Sequence, residues 1–156
     1  MVHTTLSSFI DVVPLAVRIT VGVLMIVHGA PKLFGPARSQ MREGMKMAGI
    51  PGGLFDLVGL LEFLGGIALL IGFLTRLVSL LFILEMIGTI ILYNTVLWKM
   101  PLPRGALEQA FKQTHGYLTG WELDTLVLSS AIVTLILGGG AFSIDAILRV
   151  EQLVGF

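Results

Sequence analysis

Leu54 to Leu74 reads LFDLVGLLEFLGGIALLIGFL, 21 residues with Glu62 near the centre. At about 1.5 Å per residue such a helix crosses the roughly 30 Å hydrocarbon core of a bilayer. A carboxylate at that depth costs roughly 2.5–3.5 kcal/mol on insertion scales, so it is expected to face a bundle interior, pair with a cation or carry chemistry. Three further apolar stretches flank it, giving expected spans at 12–34, 54–74, 77–97 and 122–140. The fold class that follows is all-α: an integral-membrane four-helix bundle with two interfacial loops, a single domain over 1–156.

Composition supports this. The chain is 55% hydrophobic and 13% charged, against roughly a quarter charged in a typical soluble domain. Its mean hydropathy is +0.93 and its formal charge is zero. The basic residues are dispersed over loops and helix ends, which gives no footprint for nucleic acid. With no cysteine, the chain offers no thiolate metal site, haem thioether or iron–sulfur ligation. Only His28 among His3, His28 and His115 falls in an apolar stretch, so no metal site and no covalent cofactor are expected. The first apolar segment lacks a basic leader and is too long for a signal-peptide core, and it is read as a retained span.

The second and third spans are joined by Thr75 and Arg76 alone, which makes them an antiparallel hairpin. Alternation then places 35–53 and 98–121 as two long connections at the opposite membrane face. Seven basic residues (Lys32, Arg38, Arg42, Lys46, Lys99, Arg104 and Lys112) lie on that long-loop face and three (Arg18, Arg76 and Arg149) on the hairpin face. The positive-inside rule puts the long loops in the cytoplasm. Met41 and Met45 beside Arg42 and Lys46, and Leu107, Ala110 and Phe111 opposite Glu108 and Lys112, suggest short amphipathic helices on the membrane surface. Trp98, Trp121, Tyr93 and Tyr117 suit an interfacial aromatic belt. Pro31 is expected to kink or end the first helix near Ala30.

Depth and direction select the candidate site. His28 and Glu62 both fall roughly 9–12 Å below the long-loop face, with Lys32, Asp124, Tyr93 and Asn94 shallower on the same side. At about 100° per residue, Arg18, Gly22, Met25, Gly29 and Lys32 share one face of the first helix, with His28 on its flank. Gly59, Glu62, Gly66 and Leu69 share one face of the second, and small residues of this kind mark helix contact in membranes. His28 and Glu62 are therefore expected to turn toward one another, as a chemical site or as a polar tie. A redox pocket at this place requires that meeting; without it, an anchoring role remains. Arg18 and Glu85, nearer the hairpin face, are expected to form a structural ion pair. Glu122 and Asp124 open the fourth span, where negative charge suits a helix N-terminus. The likeness of Leu61-Glu62-x-x-Gly65 to Leu84-Glu85-x-x-Gly88 is too short to argue duplication and is read as coincidence.

Several segments together resemble the DoxX/DoxD family of small four-span membrane proteins. They are His28-Gly29-Ala30-Pro31-Lys32-Leu33, Gly59-Leu60-Leu61-Glu62-Phe63-Leu64-Gly65-Gly66, Gly72-Phe73-Leu74-Thr75-Arg76, Trp121-Glu122-Leu123-Asp124 and Gly138-Gly139-Gly140-Ala141-Phe142-Ser143-Ile144-Asp145. Ala141-Phe142 stands where the family often has Arg-Tyr. The resemblance implies residence in the cell membrane and a link to quinone redox, including thiosulfate:quinone chemistry. On that expectation Glu62 exchanges protons, His28 hydrogen-bonds a quinone oxygen, and Lys32, Tyr93, Asn94 and Asp124 surround the ring. Electrons would arrive from a soluble redox partner at the long-loop face. Two other classes compete: a non-catalytic anchor or assembly factor for soluble redox enzymes, and a small-solute or proton transporter in which a homo-oligomer supplies more helices.

Overall fold

The computed structural model describes residues 12–96 and 120–150. Its long helices are α1 (Val12–Phe34), α3 (Gly52–Ile71), α4 (Thr75–Thr95) and α5 (Gly120–Leu137). Two short helices, α2 (Arg38–Met47) and α6 (Ile144–Leu148), follow α1 and α5 respectively. No strand occurs among the described residues. α1, α3 and α4 are each long and apolar enough to cross a membrane. α5 is an 18-residue helix that packs along α4. The expected amphipathic helix around Met41 and Met45 is present as α2. Its counterpart around Leu107, together with Trp98, Tyr117, His3, His115, Lys99, Arg104 and Lys112, lies outside the described residues.

α1 and α3 pack along one another, and close backbone approach is the reason. A Cβ on Gly22 would stand 2.8 Å from the Gly66 carbonyl, and a Cβ on Gly66 the same distance from the Gly22 carbonyl. One helical turn pair further on, a Cβ on Gly29 would meet the Phe63 amide at 2.5 Å. The two small-residue faces legible in the sequence are thus the two faces that meet. α4 and α5 form a second close pair, tied by a buried hydrogen bond of 2.7 Å between the Ser79 and Thr134 hydroxyls. Between the pairs lies a common core of Val21, Met25, Leu69, Val78, Phe82, Met86, Val127 and Ala131. Outward faces of α1, α3 and α4 are apolar as well: Val27, Leu57, Leu64, Leu84 and Ile91 are all exposed, as suits lipid-facing positions.

Two expectations about helix ends shift. α1 does not stop at Ala30; it runs through Pro31 to Phe34. The turn after the proline is held from outside, because Lys32 packs against Gly59 and binds Glu62 on α3. The hairpin turn falls at Gly72 to Leu74, and Thr75 and Arg76 already belong to α4. Gly72 sets the boundary: it adopts the left-handed conformation (φ 70°) that ends a helix, and Phe73 N–H bonds back to the Ala68 carbonyl at 2.8 Å.

Candidate functional site

Four ionisable side chains converge between the helix pairs. Lys32 of α1 donates its ammonium to Glu62 Oε1 of α3 across the glycine-lined contact. Glu62 is 5% exposed, and its second oxygen, Oε2, is buried without a donor. Glu85 of α4 brings its carboxyl within hydrogen-bonding reach of Glu62, and both Glu85 oxygens are likewise buried without a donor. Asp124 of α5 completes the group, with Lys32, His28 and the Thr89 hydroxyl as its polar neighbours. One ammonium thus serves three carboxyl groups in a low-dielectric setting, where isolated charge is costly.

The meeting of Glu62 with Glu85 follows from the hairpin. Glu62 lies ten residues before Gly72 and Glu85 ten residues after Thr75, which puts both about 15 Å from the same turn. Of the two Leu-Glu-x-x-Gly segments read as coincidence, the turn brings only the glutamates to one level; the segments run in opposite directions and their glycines lie at different depths. Gly65 lets the helices approach closely one turn nearer the hairpin, since a Cβ there would stand 2.9 Å from the Phe82 ring.

Other expected placements do not hold. His28 does not face Glu62. It is exposed on the flank of α1, next to Asp124 in electrostatic terms, because Gly29 and Lys32 occupy the face turned to α3. The Arg18–Glu85 ion pair does not form either. The Arg18 guanidinium, fully buried, donates to the carbonyls of Leu69 (3.3 Å), Leu70 (3.4 Å) and Phe142 (2.6 Å), while Glu85 turns to Glu62. The depth argument had placed Arg18 and Glu85 near one level, but the end of α3 and the segment after α5 reach Arg18 first. Asn94 is exposed, and its amide donates to the Ile90 carbonyl of its own helix at 2.8 Å, so it stands apart from the cluster. Tyr93 belongs to α4, and its side chain lies outside the described set.

At the hairpin end, Asp145 performs a role that the sequence had not suggested. Its two oxygens accept the backbone N–H groups of Leu74 (2.7 Å) and Thr75 (2.8 Å), capping α4 from the far end of the chain. Leu74 is held there with φ 50°, left-handed for a non-glycine residue. Ser143 caps α6 by accepting from Ala146 N–H at 3.1 Å, which presents Asp145 in its first turn. A serine immediately before a short helix, capping it at Ala146, is the available signal; the target of Asp145 cannot be read from it.

At the opposite face, Arg38 and Arg42 of α2 both bind Asp56, at 2.8 Å and 3.1 Å, folding α2 onto the start of α3. Beside this contact a groove of about 420 Å³ is lined by Gly35, Pro36, Ser39 and Glu43 together with the bridging residues. The Lys46 ammonium, hydrogen-bonded at 2.6 Å, holds the Glu43 carboxyl below its ordinary range.

Comparison with known proteins agrees with this architecture. The DoxX family pattern matches residues 13–95, which takes in α1, α2, α3 and α4. "Inner membrane protein YqjF" of Escherichia coli (strain K12) is 34% identical over 140 residues, covering 89% of this chain and 94% of that protein. "Putative oxidoreductase CatD" of Bacillus subtilis (strain 168) is 26% identical over 140 residues, covering 90% of each chain. No solved structure matches.

Proposed function

The chain belongs to the DoxX family and is a multi-pass inner-membrane protein; from that footing we propose that it is the quinone-interacting membrane subunit of an oxidoreductase, with α5 as a fourth span. The observation that carries this reading is the Lys32–Glu62–Glu85–Asp124 cluster inside the bundle, in which Glu62 Oε2 and both Glu85 oxygens lack donors. Such groups are rare within membranes and suit proton exchange. The printed name of the Bacillus subtilis relative points in the same direction.

A quinone supplies the electron-accepting chemistry, taking two electrons and two protons to become a quinol. On this reading the electrons come from a soluble redox partner at the long-loop face. The closed His28–Glu62 pocket on which the redox expectation rested does not form, so this reading rests on the Lys32–Glu62–Glu85–Asp124 cluster, and His28, exposed on the flank of α1, would serve only as a peripheral hydrogen-bond partner to a quinone oxygen. Asp124 stands between His28 and Lys32 in charge terms and passes protons inward or outward. Lys32 holds Glu62 in place and balances part of its charge.

The test uses the purified protein in nanodiscs titrated with a short-chain ubiquinone, read by quenching of tryptophan fluorescence; Trp121 lies three residues before Asp124. Saturable quenching that weakens in His28→Ala and Glu62→Gln, with helicity retained, supports the reading. Quenching that never saturates, and is identical in all three proteins, overturns it. The anchoring reading then stands, and crosslinking of soluble partners through residues 38–46 tests that.

A further inference from the structure

We propose that Glu62 and Glu85 together form a proton-binding site that holds one proton between their carboxyl groups inside the bilayer. Three observations lead there. First, the hairpin sets both residues at one depth and within hydrogen-bonding reach, and one turn nearer the hairpin Gly65 lets the helices approach closely against the Phe82 ring. Second, Glu62 Oε2 and both Glu85 oxygens are buried with no donor, although buried acceptors are almost always satisfied. Third, the one nearby ammonium is already committed to Glu62 Oε1 and does not bond the remaining three oxygens.

A proton placed between the two carboxyl groups supplies the missing donor. It turns facing acceptors into an acid–carboxylate hydrogen bond and removes one negative charge from the site. A divalent metal is a poorer occupant: among the described residues no group of three or more His, Asp or Glu is arranged to hold one. The groups that face the pair are Lys32 from α1 and Asp124 from α5, with Thr89 of α4 and His28 of α1 facing Asp124 in turn. His28 is the exposed member of this series. The site is a one-proton store whatever reaction or partner draws on it, and it stands independently of the quinone reading.

Infrared spectroscopy of the protein in nanodiscs at neutral pH, with no quinone added, reads the site. The expected result is a carbonyl stretch of a protonated carboxylic acid that downshifts in D2O and moves on incorporation of 13C-labelled glutamate. Glu62→Gln and Glu85→Gln each abolish it, because the amide introduced donates to the remaining carboxylate. The labelled wild type assigns the band even if either variant fails to fold. Absence of any acid band in the wild type overturns the proposal, as does a band that follows labelled aspartate or survives in both folded variants. Loss of quinone binding in the preceding experiment leaves this result untouched, and the reverse holds too.

Discussion

Lys32 and Glu62 form an ion pair across the glycine-lined contact of α1 with α3, with 24% and 6% of their side chains exposed. Removing one partner of a buried pair strands the other, which costs about 3–5 kcal/mol in fully buried cases. Lys32→Ala is expected to destabilise the protein toward the lower end of that range, given the partial exposure of the lysine. Lys32→Ala combined with Glu62→Gln should be less destabilised than Lys32→Ala alone. Unfolding in mixed micelles, followed by circular dichroism, measures both; equal losses in the single and double variants would contradict the pair's role.

Asp145→Ala leaves two backbone N–H groups at the start of α4 without acceptors. A loss of about 1–3 kcal/mol is expected from stranding such groups, with Asp145→Asn in between. Hydrogen exchange localises the effect: the amides of Leu74 and Thr75 should lose protection first. Unchanged protection at these two positions would show that Asp145 is dispensable to the cap.

Coupling distinguishes the observed partners of Glu85 from the one expected from depth. Arg18→Gln and Glu85→Gln should add within about 0.3–0.5 kcal/mol, as separate sites do. Glu62→Gln and Glu85→Gln should deviate from additivity by about 0.5–3 kcal/mol, as contacting residues do. A strong Arg18–Glu85 coupling would restore the ion pair that the structure does not form.

Glycine substitution separates packing from propensity. A Cβ on Gly66 meets the Gly22 carbonyl at 2.8 Å, so Gly66→Ala must push α1 and α3 apart, at a cost of about 1–3 kcal/mol. Gly88 has nothing within 4 Å of the same atom, and Gly88→Ala should be neutral or stabilising by up to about 1 kcal/mol. Thermal melting of the two variants side by side gives the answer; similar behaviour would be inconsistent with the described α1–α3 contact.

Outside the membrane, Glu43 offers a pH test. Its hydrogen bond from Lys46, with the adjoining positive charge, lowers its titration point in the folded protein. The linked stabilisation of α2 is therefore present above the ordinary glutamate range and lost as pH falls through the lowered value. Carboxyl 13C NMR should show Glu43 titrating below a normal glutamate, with Lys46→Ala returning it toward normal. No change in that variant would remove Lys46 as the cause.

The sequence by itself determined what depends on local pattern. The apolar lengths set α1, α3 and α4 as spans, the glycine and charge periodicity marked the α1 and α3 faces that meet, and Glu62 stood out because a carboxylate in hydrocarbon needs a partner. Met41 and Met45 likewise signalled α2. Partner choice belonged to the tertiary structure, because a side chain's neighbours depend on the rotation of each helix and on segments far away in sequence. His28 and Lys32 stand one turn apart, offset by only about 40° around α1, yet Lys32 binds Glu62 and His28 is left on the outer flank. The hairpin turn brings Glu85 to Glu62 and away from Arg18, and Asp145 caps a helix that begins 70 residues earlier. Charge in a bilayer must find compensation, and only the assembled bundle decides which of several eligible groups supplies it.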